Sequence, residues 1–442
     1  MILPRPTVVV HNNLEVFFRF LKRSEDASLI YQRRFRGDRA LFWLGTPKLV
    51  CTTAPTPGAS WITAQYGFSG TRTLTPANTS CQLSLDLIQD ADALDQIAAF
   101  AAPSGSLDLV PYAATPEFYQ LAAALRQNYG LDVRLPECPE LDNLWLRNLV
   151  DTKVGFRTFA EHWLAEAGGD LPVLPFGIVT SGIQGAAEAA WWFLCRGRDC
   201  IIKADLGESG NGNFSLHAGE YDSLFNLTCA LDQNSLLQDD LLVVEELIPS
   251  PATISPSLEL FVPPLAEGAP AVTYLSNQIF QRFGRFAGVL IDRQHLHAPW
   301  YPPLERAGLL FAHRLQEMGY IGHFDLDAIV DPSGRIYLLE INARRTGGTY
   351  VHEFARHVLG ENYLRSHTLL SQNQVACPGI HSLEGLLNKT SDLLFIPGER
   401  RSGIAIAVTS TIEQENFGCI FVGENLDEVQ QLRATLAAHL GE

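Results

Sequence analysis

This 442-residue chain holds only two methionines, Met1 and Met318, and its eight cysteines form no CxxC pair. Without a Met-Lys-Met segment it carries no biotinyl attachment site of its own. The cysteine spacings (51, 81, 138, 195, 200, 229, 377, 419) argue against a disulfide framework or a thiolate metal site. Reduced, mostly buried thiols are expected. No apolar run approaches the ~20 residues that cross a bilayer. The opening MILPRPTVVVHNNLEVFF is broken by Glu15 and has no small-residue cleavage site, so no signal peptide is expected and a cytoplasmic location is. Positive charge is also scarce: 32 Lys and Arg stand against 49 Asp and Glu, a formal net charge of −17. Coating nucleic acid or an anionic membrane needs clustered cations, so neither partner is expected, although a local basic pocket is allowed. Internal repeats and low-complexity tracts are absent.

What is present suits two or three soluble domains, with 46% hydrophobic and 18% charged residues. Residues 1–150 read as an α/β unit. Strands are expected at TVVVHN (7–12), ALFWLGT (40–46), KLVCTT (48–53), LDLVPYAA (107–114) and LDVRLPE (131–137). Helices are expected at Ala91–Ala102 and from Thr115, where Pro116 takes the first helical position and Gly130 stops the run. Alternation of strand and helix predicts a parallel sheet. A helix containing Lys153 follows and stops at Gly168-Gly169. Next come a helix at Ala186–Arg196, strands at CIIKAD (200–205) and from Ser215, a helix at Asp222–Leu231 and a strand at LLVVEELI (241–248). Strands SLELFV (257–262), AVTYLSNQ (271–278), HFDLDAIVD (323–331) and IYLLEINA (336–343) surround a helix at Pro303–Met318. The stretch 376–442 reads as a small α/β cap ending in a helix at Leu426–Leu440.

Three segments carry candidate chemistry. In the first, Lys203 lies on a strand that leads into Gly207-Glu208-Ser209-Gly210-Asn211-Gly212. Glycines let backbone N–H groups approach an anion, and a lysine adds a point charge for phosphate oxygens. No Gly-Lys-Ser/Thr ends the loop and no GxGxxG is present, so a plain hairpin turn remains the alternative. In the second, the apolar strand ends in Glu245-Glu246-Leu247-Ile248, either a solvated strand end or a hinge whose backbone reads an adenine edge. The third is a hairpin closed by Asp331-Pro332-Ser333-Gly334. Strand parity puts Asp325 and Asp327 on one face of its first strand. Parity also puts Glu340, Asn342 and Arg344 on one face of the second. Carboxylates gathered this way repel unless a cation sits among them, and hard oxygen donors favour Mg²⁺ over zinc. Arg345, next to Arg344, is expected to point to the other face.

Taken together, these segments resemble the ATP-grasp superfamily of carboxylate–amine ligases from about Lys153 to Arg345. The ExNxR of the closing hairpin is the most specific part. The resemblance is nearest to the pheganomycin-type peptide ligases. It implies an α/β (α+β) ATP-grasp fold with an N-terminal Rossmann-like pre-ATP-grasp domain (1–150), the ATP-grasp domain (151–375, lid about 186–248) and a small C-terminal α/β domain (376–442). By the same resemblance Lys153 and Lys203 hold α- and β-phosphates, Gly207, Ser209, Gly210 and Gly212 cover the outer phosphates, and Glu245 to Ile248 form the adenine hinge. Asp327, Glu340 and Asn342 are implied as ligands of two Mg²⁺ ions, with Mn²⁺ as a substitute. Asp327 is preferred to Asp325 because it precedes Glu340 by 13 residues. Arg344 is implied to steady the transferred phosphoryl group, and the Gly347 and Gly348 N–H groups to meet the oxyanion. Ser257, Gln278, Arg282, Arg285, Arg345 and His352 are substrate candidates. His352 has a helix-start role as its alternative.

The ribose ligand common in the superfamily is unassigned, since Pro249 to Ser257 intervenes after the hinge and the next acid is Glu259. His295-x-His297, expected on a strand, has metal-like spacing without a partner cluster and reads as a surface pair. The implied function is ATP-dependent joining of a small carboxylic acid to an amine, such as an amino acid or peptide, and is compatible with a homodimer. The alternatives are an ATP-grasp carboxylase and a catalytically silent nucleotide-binding regulator.

Overall fold

The computed structural model describes residues 5–18, 34–43, 46–207, 210, 212–238, 241–250, 254–281 and 285–441. Three sheets organise them. The first has five parallel strands in the order Thr71–Leu74, Lys48–Cys51, Thr7–Val10, Ser106–Pro111, Asp132–Arg134. Its centre is the β-branched run Thr7-Val-Val-Val10, and the three valines are fully buried, as suits a parallel strand covered on both faces. Helices Leu83–Gln89, Ala91–Ala101 and Pro116–Tyr129 share its core. The last of these begins where the Thr115 hydroxyl accepts from the Phe118 N–H and ends at Gly130, whose φ of 64° is left-handed.

The second sheet is antiparallel and eight-stranded. Its order is Ile336–Asn342, Gly322–Val330, Pro256–Val262, Ala271–Phe280, Phe286–Ile291, Thr368–Ala376, Asn416–Gly423, Gly403–Val408. Helices Lys153–Ala167 and Tyr301–Glu317 pack their Phe156, Trp163, Leu304 and Phe311 against its first strands. The stretch set apart by sequence at 376–442 extends this sheet through its last two strands. The third sheet, in the order Gly177–Ser181, Leu241–Glu246, Cys200–Ala204, Asn213–Leu216, is antiparallel. Helices Gly182–Leu194 and Leu224–Asp232 share its core. Among the described residues no helix is long and apolar enough to cross a membrane.

Two expected strands are absent. Residues 37–42 of the ALFWLGT region form the 3₁₀ helix Gly37–Phe42 instead, while 44–45 lie outside the described residues. Ala40 to Trp43 are buried all round, and the pattern of a short, fully buried apolar run does not separate a covered strand from a helical turn. The turn is anchored by the Asp38 carboxylate, which accepts from the Thr409 N–H (3.0 Å), the Thr409 hydroxyl (2.7 Å) and the Ser410 hydroxyl. Likewise His295 and His297 sit on the 3₁₀ turn Arg293–His297, started by Asp292 accepting from the Gln294 N–H. Conversely, strands Thr71–Leu74, Phe286–Ile291 and Thr368–Ala376 escaped the pattern reading.

Candidate functional site

One cleft of about 1520 Å³, its solvent-open part included, is walled by all three sheets. Its acidic end is the hairpin of Gly322–Val330 and Ile336–Asn342. The turn is set by Asp331, which accepts from the N–H groups of Ser333 (2.8 Å) and Arg335 (3.0 Å), and by Gly334 at φ 86°. The resulting register places Asp327 opposite Glu340 and Asp325 opposite Asn342. All four line the cleft, with Arg344 beside them.

The cluster is densely hydrogen-bonded. Asp327 accepts from Gln278 Nε2 (2.5 Å) and Asn342 Nδ2 (3.0 Å), and Asp325 accepts from Ser257 Oγ (3.1 Å). Ser257 and Gln278, both substrate candidates from sequence, thus sit on the acids. Burial, then the neighbouring Asp325 and Glu340, push the Asp327 carboxyl well above the usual carboxylate range. Burial pushes Asp325 up to about 7 against the pull of Arg344. Asp325 Oδ1 is buried with no hydrogen-bond partner. Such a crowd of buried oxygens fits a hard divalent cation. Among the described residues, however, no three His, Cys, Asp or Glu side chains stand as a ready-made ligand cage. Glu340 is turned elsewhere: its Oε2 lies 2.6 Å from Lys153 Nζ. Burial works against Glu340 ionising, but Lys153 overcomes it and holds the carboxyl below its ordinary range.

The four-stranded sheet supplies the opposite wall. Lys203 is buried on Cys200–Ala204 and lines the cleft, its Nζ 2.5 Å from Glu245 Oε2. Arg157 holds the other Glu245 oxygen at 3.0 Å. The sequence reads Glu245 only through its backbone; its side chain is a counter-ion for two cations. Strand pairing ends at Glu246, whose carboxylate meets Arg198 at 2.6 Å, and Leu247 and Ile248 run on into the cleft. Gly210 and Gly212 have φ of 81° and 89°, a left-handed backbone that only glycine adopts without strain. Gly210 lines the cleft, Gly207 does not, and Ser209 lies outside the described residues. Lys153 is not among the cleft-lining side chains and reaches the site through Glu340. Its N–H donates to the Asp205 carbonyl (3.1 Å), docking the helix start on the glycine segment.

Arg344 and Arg345 point apart as expected, although both lie past the strand's last residue, Asn342, where the Arg344 N–H turns back to the Asn342 carbonyl at 2.8 Å. Arg344 donates to Asn342 Oδ1 (2.7 Å) and to Tyr112 Oη (3.2 Å) inside the cleft. Arg345 is buried away from it in a two-pronged ion pair with Glu137 (2.9 and 2.6 Å). It is therefore removed from the substrate candidates. Arg285 is exposed and outside the cleft lining, and Arg282 lies outside the described residues. His352 is corrected too: it is buried on the helix Thr349–Leu359, stacked on Tyr274 and hydrogen-bonded to Tyr363 Oη at 2.9 Å. Glu259, the next acid after the hinge, is fully buried against His323, Thr349 and Tyr274 and is no ribose ligand. Gly347 and Gly348 line the cleft at the start of that helix. A Cβ on Gly347 would sit 2.6 Å from the Phe286 ring, and one on Gly348 2.6 Å from Tyr274 Oη.

Sequence reasoning missed the wall contributed by the first sheet. His11 and Asn13 follow its central strand, Arg36, Arg39 and Trp43 flank the 3₁₀ helix or lie within it, and Tyr112 follows Ser106–Pro111. The polar His-Asn-Asn at the carboxyl end of a parallel strand was the available signal, since ligands collect there.

No protein-family model matches the chain, and no curated protein matches it. Solved structures do. An N5-carboxyaminoimidazole ribonucleotide synthetase in complex with ADP is 12% identical, with a TM-score of 0.52 over 100% of this chain and 99% of its own. Biotin carboxylase from Campylobacter jejuni, in a β,γ-ATP complex, is 13% identical, with a TM-score of 0.56 over 99% and 91%. N5-carboxyaminoimidazole synthase from Aspergillus clavatus, with ADP and 5-aminoimidazole ribonucleotide, is 12% identical, with a TM-score of 0.54 over 100% of both chains. At these identities the likeness is one of fold, and the chain has the ATP-grasp fold from end to end.

Proposed function

We propose that this chain is an ATP-dependent carboxylate–amine ligase that forms an amide or peptide bond through an acyl phosphate and releases ADP and phosphate. One observation carries the reading. A single cleft is lined at once by Lys203, Gly210, the hinge from Glu245 to Ile248, the cluster of Asp327, Glu340 and Asn342, and Arg344 beside Gly347 and Gly348. A silent regulator has no need of all these groups together. The three units 1–150, 151–375 and 376–442 follow the same reading, with 186–248 as a lid.

Lys203 neutralises phosphate oxygens from one wall, and Lys153 acts from behind Glu340. Asp327, Glu340 and Asn342, with Asp325 beside them, would hold Mg²⁺, which when bound supplies charge neutralisation for the triphosphate. A carboxylate oxygen of the acid attacks the γ-phosphorus, and the bond to the ADP oxygen breaks. The Arg344 fork steadies the phosphoryl oxygens in passage. The amine nitrogen then attacks the acyl carbon and loses a proton. The carbon–oxygen bond breaks, and phosphate leaves with one original carboxylate oxygen. The N–H groups of Gly347 and Gly348, at the positive end of an 11-residue helix, face the developing oxyanion.

Oxygen-18 placed in the substrate carboxylate tests this route. Label is expected in released phosphate. Label kept wholly in the product, or found in AMP, overturns it. The likeness to carboxylating enzymes supports a second reading in which the acid is bicarbonate. Then ADP release depends on bicarbonate and on no other acid.

A further inference from the structure

Glu259 stands on the eight-stranded sheet two residues past Ser257, opposite Asp325 on one neighbouring strand and Tyr274 on the other. Parity therefore puts it on the face that carries the acidic cluster. Unlike those acids it is closed off from the cleft, fully buried beneath the start of the helix Thr349–Leu359.

A buried carboxylate is costly unless hydrogen bonds meet its charge. Here five side chains donate to it. Oε1 accepts from His323 Nδ1 (3.1 Å) and Thr273 Oγ1 (3.2 Å). Oε2 accepts from Thr349 Oγ1 (2.5 Å), Tyr274 Oη (3.3 Å) and Thr346 Oγ1 (3.5 Å). Burial works against ionisation, but the His323 ring and the Thr349 hydroxyl overcome it and hold the carboxyl below its ordinary range.

All three donors on Oε2 bear on the turn that carries Gly347 and Gly348. A hydroxyl has one hydrogen. Because Thr349 gives its hydrogen to Glu259, its lone pairs face the Thr346 N–H, which donates to it at 2.8 Å. That bond closes the turn around the two glycines. Tyr274 Oη lies against Gly348, where a Cβ would come within 2.6 Å, and 3.3 Å from Thr346 Oγ1. Among the described residues the Gly347 and Gly348 N–H groups donate to no backbone carbonyl, and both residues line the cleft.

We propose that Glu259 is a positioning residue: through Thr349 and Tyr274 it fixes the 346–349 turn, so that the Gly347 and Gly348 N–H groups are aimed in advance at the oxyanion formed by amine attack. Donors held in place before the reaction need no reorganisation during it. The assignment rests on the ligase reading and deepens it.

ADP release by the full chain tests it, with hydroxylamine as the amine and the twenty common L-amino acids and simple carboxylic acids as the acid panel. The acid that gives the fastest release then serves for the variants. Thr349→Val keeps the shape and removes the hydroxyl, whereas Thr349→Ser keeps the hydroxyl. Glu259→Gln leaves an acceptor on only one of the two sides that Glu259 serves. We expect Thr349→Val and Glu259→Gln to lower kcat at least roughly tenfold with the KM for ATP unchanged, and Thr349→Ser to stay within about threefold of the unaltered chain. Retained kcat in Thr349→Val or in Glu259→Gln, or a loss in Thr349→Ser as large as that in Thr349→Val, overturns the assignment. So does a rise in the KM for ATP that matches the fall in kcat, which marks a general loss of structure rather than of aim. A chain that releases ADP with no acid of the panel overturns the ligase reading instead. Should Glu259→Gln misfold, the two Thr349 variants still decide.

Discussion

Lys153 Nζ lies 2.6 Å from Glu340 Oε2, joining the first residue of a helix to the hairpin strand that carries the acidic cluster. The pair ties a proposed phosphate lysine to a proposed metal ligand. Nucleotide and metal would compete for both of its members.

Glu340→Gln therefore does two things. It removes a charge from the reacting end, with an expected rate loss of at least ~10²-fold. It also leaves Lys153 buried without its counter-charge, with an expected stability loss of about 2 kcal/mol; that is below the usual cost because the amide oxygen still accepts. Adding Lys153→Met should restore stability while activity stays lost, since it removes the buried charge that Glu340→Gln leaves without its counter-ion. Denaturant melts and ADP release read the two effects. A double variant no more stable than Glu340→Gln would show that the ion pair is not what the single change breaks.

Lys203→Ala should weaken ATP binding by roughly 10- to 150-fold, the range of a charge-assisted contact worth about 1.5–3 kcal/mol. Folding should survive, because Arg157 still neutralises Glu245 at 3.0 Å. Unchanged ATP affinity by calorimetry would remove Lys203 from the nucleotide site.

Arg344 and Arg345 should separate chemistry from stability. Arg344→Lys keeps the charge but not the planar fork, so ATP binds and most ligation is lost. Arg345→Met breaks the buried pair with Glu137 and should cost about 3 kcal/mol of stability. Steady-state turnover beside urea denaturation checks the split, and equal turnover losses without a stability difference would refute it.

The pH dependence of stability follows from His352. Burial lowers its pKa from 6.5 to about 4. Below about pH 6.5 the unfolded chain takes up a proton that the native site refuses until about pH 4. Stability is thus complete above pH 6.5 and falls as the pH drops, by roughly 3 kcal/mol from this residue. His352→Gln can still meet Tyr363 and should flatten the slope between pH 6.5 and 4.5. An unchanged slope would assign the acid sensitivity elsewhere, with His11 the next candidate because its pKa is lowered to about 3.

The sequence by itself determined whatever depends on neighbours a few residues away. Strand parity set Asp325 and Asp327, and Glu340 and Asn342, on shared faces. Thr115, Pro116 and Gly130 bounded their helix, because capping and φ preference are local. Tertiary structure alone decided which distant groups meet. Arg345 finds Glu137 from 208 residues away, and Arg344 finds Tyr112 from 232. Asp38 reaches Thr409 across 371 residues and holds the apolar run as a 3₁₀ helix. The Glu245 side chain became a counter-ion because two antiparallel strands and a helix deliver Lys203 and Arg157 to it. The wall of His11, Asn13 and Trp43 comes together for the same reason; the polar His-Asn-Asn at its strand's end was a local signal, but not of what it would face. Periodicity reports which face of an element is buried, but only the packing of one sheet against another decides what that face is buried against.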